Sequence, residues 1–72
     1  MSEYPVVFER EEDGRHSVFA PDLPGCASWG ETREEARDHI REAIELWIES
    51  AKSDGDPVPE PGSSMEIVAI AS

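Results

Sequence analysis

The chain has 72 residues, of which 17 are acidic and 6 basic, giving a net charge of −11. That length suits one small domain with a thin core, to which association with another chain would add stability. The acidity is even, −6 over residues 1–36 and −5 over residues 37–72. With no basic arm at either end, it argues against nucleic-acid binding, which rests on Lys and Arg contacts to phosphate, and against an anionic membrane surface. It favours a basic protein partner, or solubility alone. One Lys against five Arg is also what a halophilic or high-GC source produces.

The longest apolar run, Ile67-Val68-Ala69-Ile70-Ala71, is far short of a membrane span, and the chain opens on no signal peptide. Cys26 is the single cysteine, which excludes an internal disulfide and a multi-thiolate metal site. The expectation is a reduced, cytoplasmic protein.

Tyr4-Pro5-Val6-Val7-Phe8-Glu9-Arg10 reads as a first strand, with Pro5 at its start or on a sheet edge. Glu11-Glu12-Asp13-Gly14 is a turn, and His16-Ser17-Val18-Phe19-Ala20 returns antiparallel. Pro21-Asp22-Leu23-Pro24-Gly25 is a rigid loop before a short third strand, Cys26-Ala27-Ser28-Trp29-Gly30. The helix signal is the clearest. Thr32 is an N-cap, and Glu35 completes a capping box by reaching back to the Thr32 amide. Ala36, Ile40, Ala43, Ile44, Trp47, Ile48 and Ala51 form one apolar stripe at 3.6-residue spacing. Gly55 stops the helix and Pro57 prevents its resumption. Pro57-Val58-Pro59-Glu60-Pro61 is extended, and Met65-Glu66-Ile67-Val68-Ala69-Ile70 reads as the last strand. The predicted architecture is α+β: a β-β-β-α-β mixed four-stranded sheet with one helix on one face, the last two strands parallel through a right-handed crossover.

Catalytic chemistry finds little support. The strand centres Val6, Val7, Phe8, Val18, Ile67 and Val68 carry no carboxylate, while Glu9 and Glu66 sit near strand ends. His16 and His39 stand apart with no metal-ligand spacing, so each reads as a structural or boundary histidine. Cys26 has no basic neighbour to activate its thiol and reads as a small buried hydrophobe. Trp47 belongs to the helix stripe; Trp29 divides evenly between core and surface anchor. No catalytic residue, metal or cofactor is expected, and no nuclease activity.

A family resemblance enters here. Tyr4-Pro5-Val6-Val7, Glu11-Glu12-Asp13-Gly14, Pro21-Asp22-Leu23-Pro24-Gly25-Cys26, and Gly30-Glu31-Thr32 leading into Glu34-Glu35-Ala36 together resemble the HicB antitoxin family. Ala43-Ile44-Glu45-Leu46-Trp47, Asp54-Gly55 and Pro57-Val58-Pro59 fit as well. The resemblance runs from residue 4 to about residue 70. It implies a partial ribonuclease-H-like fold without catalytic carboxylates, and an antitoxin that neutralises a small, basic, mRNA-cleaving HicA-like toxin. An acidic cover suits such a partner. Longer members carry a C-terminal DNA-binding domain; here residues 1–72 are read as a single HicB-like domain, with no direct DNA binding. The alternative is an orphan HicB-like oligomeric binding protein without a toxin.

Two surfaces are expected to carry contacts. Asp22, Leu23, Pro24 and Trp29 are the partner-binding candidates, because a loop stiffened by two prolines presents side chains at low entropy cost. Both faces of the first and last strands are apolar, yet one helix covers only one of them. The uncovered face, with Val7, Val68 and Ile70, is expected to meet a second copy of the chain, as a dimer or tetramer, or the toxin.

Overall fold

A computed structural model describes residues 2–71. Three short strands, β1 (Val7–Arg10), β2 (His16–Phe19) and β3 (Ala27–Gly30), pair antiparallel in that order. One helix, α1 (Arg33–Ser53), crosses β3 and β2 on one face of the sheet. The architecture is α+β.

The hairpin closes as the turn residues dictate. Gly14 takes a positive φ of 90°. Its N–H donates to the Glu11 carbonyl at 3.0 Å, while the Glu11 N–H donates to the Arg15 carbonyl at 2.8 Å. The register then aligns Val7, Phe19 and Ala27 in one cross-strand row and Phe8, Val18 and Ser28 in the next. Successive side chains point to opposite faces, so the Val18 row looks toward the helix and the Phe19 row away from it. Burial agrees: Val18 is buried, and Phe19 is exposed.

The core consists of Val18, Ala20, Leu23, Cys26, Ala36 and Ile40, flanked by Tyr4, Val6, Phe8, Ala43, Ile44 and Trp47. Leu23 reaches it because the loop between β2 and β3 folds back on itself. The Leu23 N–H donates to the Ala20 carbonyl, and the Cys26 N–H to the Leu23 carbonyl. Two consecutive turns therefore drive Leu23 inward, to 1% exposure. Burying that side chain is worth roughly 1.5–3 kcal/mol.

Thr32 caps the helix as expected, its hydroxyl accepting the Glu35 N–H at 3.0 Å. The return bond differs by one residue: Glu35 accepts from the Glu31 N–H, not from that of Thr32. At the other end Gly55, at φ 75°, follows the cap residue Asp54. The Gly55 N–H bonds the Lys52 carbonyl and the Asp56 N–H bonds the Ala51 carbonyl, the paired closure of a Schellman motif.

The predicted fourth strand is corrected. Residues 65–70 pair with nothing among the described residues, and the sheet has three strands rather than four. Their composition suits a strand, but a strand exists only when a neighbouring edge receives its hydrogen bonds. Ile67 is 97% exposed, with Val68 and Ile70 largely exposed beside it.

Candidate functional site

Among the described residues, no element covers the sheet face turned away from α1. Its apolar row is Val7, Phe19 and Ala27, and Trp29 stands in the next row beside Ser17 and Glu9. Trp29 is 50% exposed, which settles the even reading of this residue in favour of the surface. The Arg15 guanidinium lies 5.1 Å from the Trp29 ring centroid and is held from the other side by Asp13 at 2.6 Å. The Arg15 backbone amide, followed by its guanidinium, holds the exposed Asp13 carboxyl below the ordinary carboxylate value. A half-exposed tryptophan among smaller apolar groups, with polar neighbours, is the composition that protein interfaces favour.

Helix α1 fixes Trp29 from behind. His39 Nδ1 lies 2.6 Å from the Trp29 carbonyl oxygen. A carbonyl only accepts, so Nδ1 carries the proton, and His39 is the satisfied boundary residue its sequence position implied. Trp47 likewise donates its indole N–H to the Pro24 carbonyl at 3.0 Å, anchoring the loop to the helix.

Of the four partner-binding candidates, the fold presents three. Pro24 and Trp29 are exposed and Asp22 is partly so. Leu23 is corrected: as a core residue it presents nothing to a partner. Asp22 is already engaged, accepting from the Ser63 hydroxyl at 2.7 Å and the Ser63 N–H at 3.2 Å. The Ser63 hydroxyl, with the amides of Ser63 and Gly62, holds the Asp22 carboxyl below its ordinary value of 3.8. A depressed carboxyl pKa means that this tether is fully present above pH 3.8 and is lost as pH falls through the lower folded value. The Ser63 amide resonance is therefore expected to titrate in acid with a midpoint below 3.8, and to lose that titration in Asp22→Asn. A midpoint at or above 3.8 would contradict the tether.

The proposed oligomer face is also revised. Val7 lies on the open sheet face, whereas Val68 and Ile70 belong to the unpaired tail, so within one chain the three do not share a surface. Cys26 is buried, and desolvation pushes its thiol up, away from reactivity. Among the described residues no group of three His, Cys, Asp or Glu side chains is placed to hold a metal ion.

A second feature escaped the sequence reading. On the side of α1 nearest β1, a groove of about 800 Å³ opens between Ile40, Ile44 and Ile48 of the helix and Tyr4 and Val6 ahead of β1. Arg37, Arg41 and Lys52 line it, half of all the cations in the chain, together with Glu45 and Glu60. The four-residue spacing of Arg33, Arg37 and Arg41 was the available signal, hidden by a charge balance averaged over half-chains.

The HicB-like antitoxins of bacterial toxin–antitoxin systems match this chain over residues 4–71. The chain belongs to the HicB-like antitoxin family. It is 51% identical over 57 residues to UPF0150 protein ssr1765 of Synechocystis, a match covering 79% of this chain and 72% of that protein. It is 37% identical over 59 residues to Antitoxin HicB 1 of Photorhabdus laumondii, covering 82% of this chain but 38% of that longer protein. The crystal structure of the N-terminal domain of Burkholderia pseudomallei antitoxin HicB superposes with a TM-score of 0.77 at 33% identity, over 85% of this chain and 72% of that one. The HicB-like chain thus corresponds to the N-terminal part of such antitoxins. The open sheet face lies within the matched residues, as does the groove apart from Ser2. Among the described residues no helix is long and apolar enough to cross a membrane.

Proposed function

We propose that this HicB-like chain is the antitoxin of a type II pair and neutralises a small, basic, HicA-like mRNA-cleaving ribonuclease in the cytoplasm. The observation that carries this reading is the open sheet face: an exposed Trp29 and Phe19, with Val7 and Ala27, on a domain of net charge −11. An apolar centre excludes water from the contact while the acidic surround attracts a cationic nuclease and orients it on approach. Asp22 and Pro24 lie on the β2–β3 loop and extend the contact at its rim. The chain inhibits by covering its partner and carries out no reaction of its own. It binds no DNA directly.

The protein acts as an oligomer. Residues 65–70 expose Ile67, Val68 and Ile70 to water, and such apolar surface is stable when another chain covers it. A fourth strand added to the three completes the ribonuclease-H-like sheet that the family resemblance implies.

The test is association with a purified HicA-like toxin, measured by stopped flow at low and high salt. The association rate is expected to fall about tenfold or more as salt rises, because long-range attraction is screened. Tight binding at a salt-independent rate would show that the acidity serves solubility only. No binding to any HicA-like toxin would leave the orphan reading.

A further inference from the structure

We infer that the cavity between β3 and the C-terminal half of α1 is a socket for an arginine side chain of the cationic partner. The inference rests on the toxin-binding reading above and adds an anchor to it.

The cavity, of about 410 Å³, lies on another flank of α1 from the cationic groove. Ala27 of β3 and Ala43, Leu46 and Trp47 of α1 wall it, and Asp54 and Asp56 line it where the helix stops. The helix supplies these groups in one file, because positions three and four apart share a side. Leu46 is 64% exposed and takes no part in the core. The other exposed large apolar side chains are Phe19 and Trp29 on the open sheet face and those of the tail from Met65 onward. Leu46 is thus the one, among the described residues, that neither feature explains.

The electrostatics of the cavity select a cation. Two carboxylates line it, and no Lys, Arg or His among the described residues does. The negative end of the helix dipole lies beside them. Lys52, the basic residue of the last turn, lines the cationic groove instead. Neither aspartate has an ion-pair partner among the described residues. An incoming cation therefore meets a negative potential already in place and displaces no existing pair.

The walls then choose among cations. A hydrated metal ion gains nothing from alanine, leucine and indole surface, whereas an arginine buries its methylene stem there and keeps its charged head at the rim. The Trp47 N–H is already given to the Pro24 carbonyl at 3.0 Å, so its polar atom is satisfied and the rest of the ring offers a surface on which a guanidinium stacks. Ser50, also in the lining, and Asp54 are one helical turn apart, about 6 Å, comparable to the length of that stem. A planar fork of N–H donors suits two carboxylates better than the single point of an ammonium. Ala27 pairs across from Phe19 and so belongs to the open sheet face as well, which lets one partner reach both sites around the β3 edge.

Calorimetric titration with a purified HicA-like toxin is expected to show Asp54→Asn with Asp56→Asn weakening affinity about tenfold or more, as the loss of a charge-assisted contact does. Glu42→Gln with Glu49→Gln removes the same charge from exposed positions of the same helix and is expected to cost about threefold or less. Both double variants change exposed residues only and keep the parent denaturation midpoint. Asp56→Asn with Leu46→Ala replaces the first if Asp54→Asn unsettles the helix end. Equal losses in the two double variants overturn the socket and leave toxin binding in place. If no toxin binds, the reading beneath the inference falls, and titration of the full chain with N-acetylarginine methylamide decides on the pocket alone. Saturable amide shifts at Leu46, Asp54 and Asp56, absent with the neutral citrulline analogue, uphold it; no such shifts overturn it.

Discussion

Replacing Gly30 by alanine is expected to be the most damaging conservative change in this domain. A Cβ built on Gly30 would lie 2.4 Å from the Ala36 amide nitrogen and 2.9 Å from the Ala36 Cα and the Glu35 carbonyl carbon. All three are backbone atoms of the first turn of α1, and none can swing aside. The helix start has to lift off β3, carrying the fully buried Ala36 out of the core. The cost is about 3 kcal/mol or more, most of what a domain of this size possesses. Chemical denaturation is the measurement, with Gly25→Ala as the control. Gly25 has a positive φ of 76° and nothing within 4 Å of the added methyl, so it loses only the left-handed preference, about 1 kcal/mol. Equal denaturation midpoints for the two variants would refute the close approach of helix and strand.

Trp29→Ala is expected to separate binding from stability. The ring is half exposed and lies on the side of the sheet away from α1, so its loss removes little core packing. At the centre of a covered interface a tryptophan carries about 2 kcal/mol or more, roughly thirtyfold in affinity. Calorimetric titration with the toxin is expected to show that loss while the denaturation midpoint moves only slightly. Leu23→Ala is expected to do the reverse, lowering stability by about 2–5 kcal/mol through the core. Were Leu23→Ala to weaken toxin binding in a variant still fully folded, and Trp29→Ala to leave it unchanged, the loop rather than the sheet face would be the contact.

Much of this architecture is local chemistry and so was readable residue by residue. Thr32 accepts the Glu35 amide because a hydroxyl three residues ahead of a helical N–H has little else to do. Gly14 and Gly55 turn with positive φ where the chain has to reverse or stop. The stripe through Ala36, Ile40, Ile44 and Trp47 needs a sheet to bury it, and three strands alternate to supply one. Glu9 departs from the expected carboxylate-free strand centres: with β1 confined to Val7–Arg10 it lies inside the strand, opposite Ser17.

What the letters left open depends on partners distant in the chain. Leu23 looked like a loop residue available to another protein; two successive turns between Ala20 and Cys26 sent it inward, and turn direction is set by the core waiting beneath it. Trp29 and Trp47 are equally large and apolar, yet register puts one on the open face while the helix stripe leaves the other bonded to Pro24. Arg37 and Arg41 lie about one helical turn apart and Lys52 about three turns further on, so all three reach one groove, a clustering that a net charge conceals. The last strand is the sharpest case. Its composition declares a β segment, and composition can declare no more, because the hydrogen bonds that make a strand belong to two edges and only the folded sheet decides which edge is free.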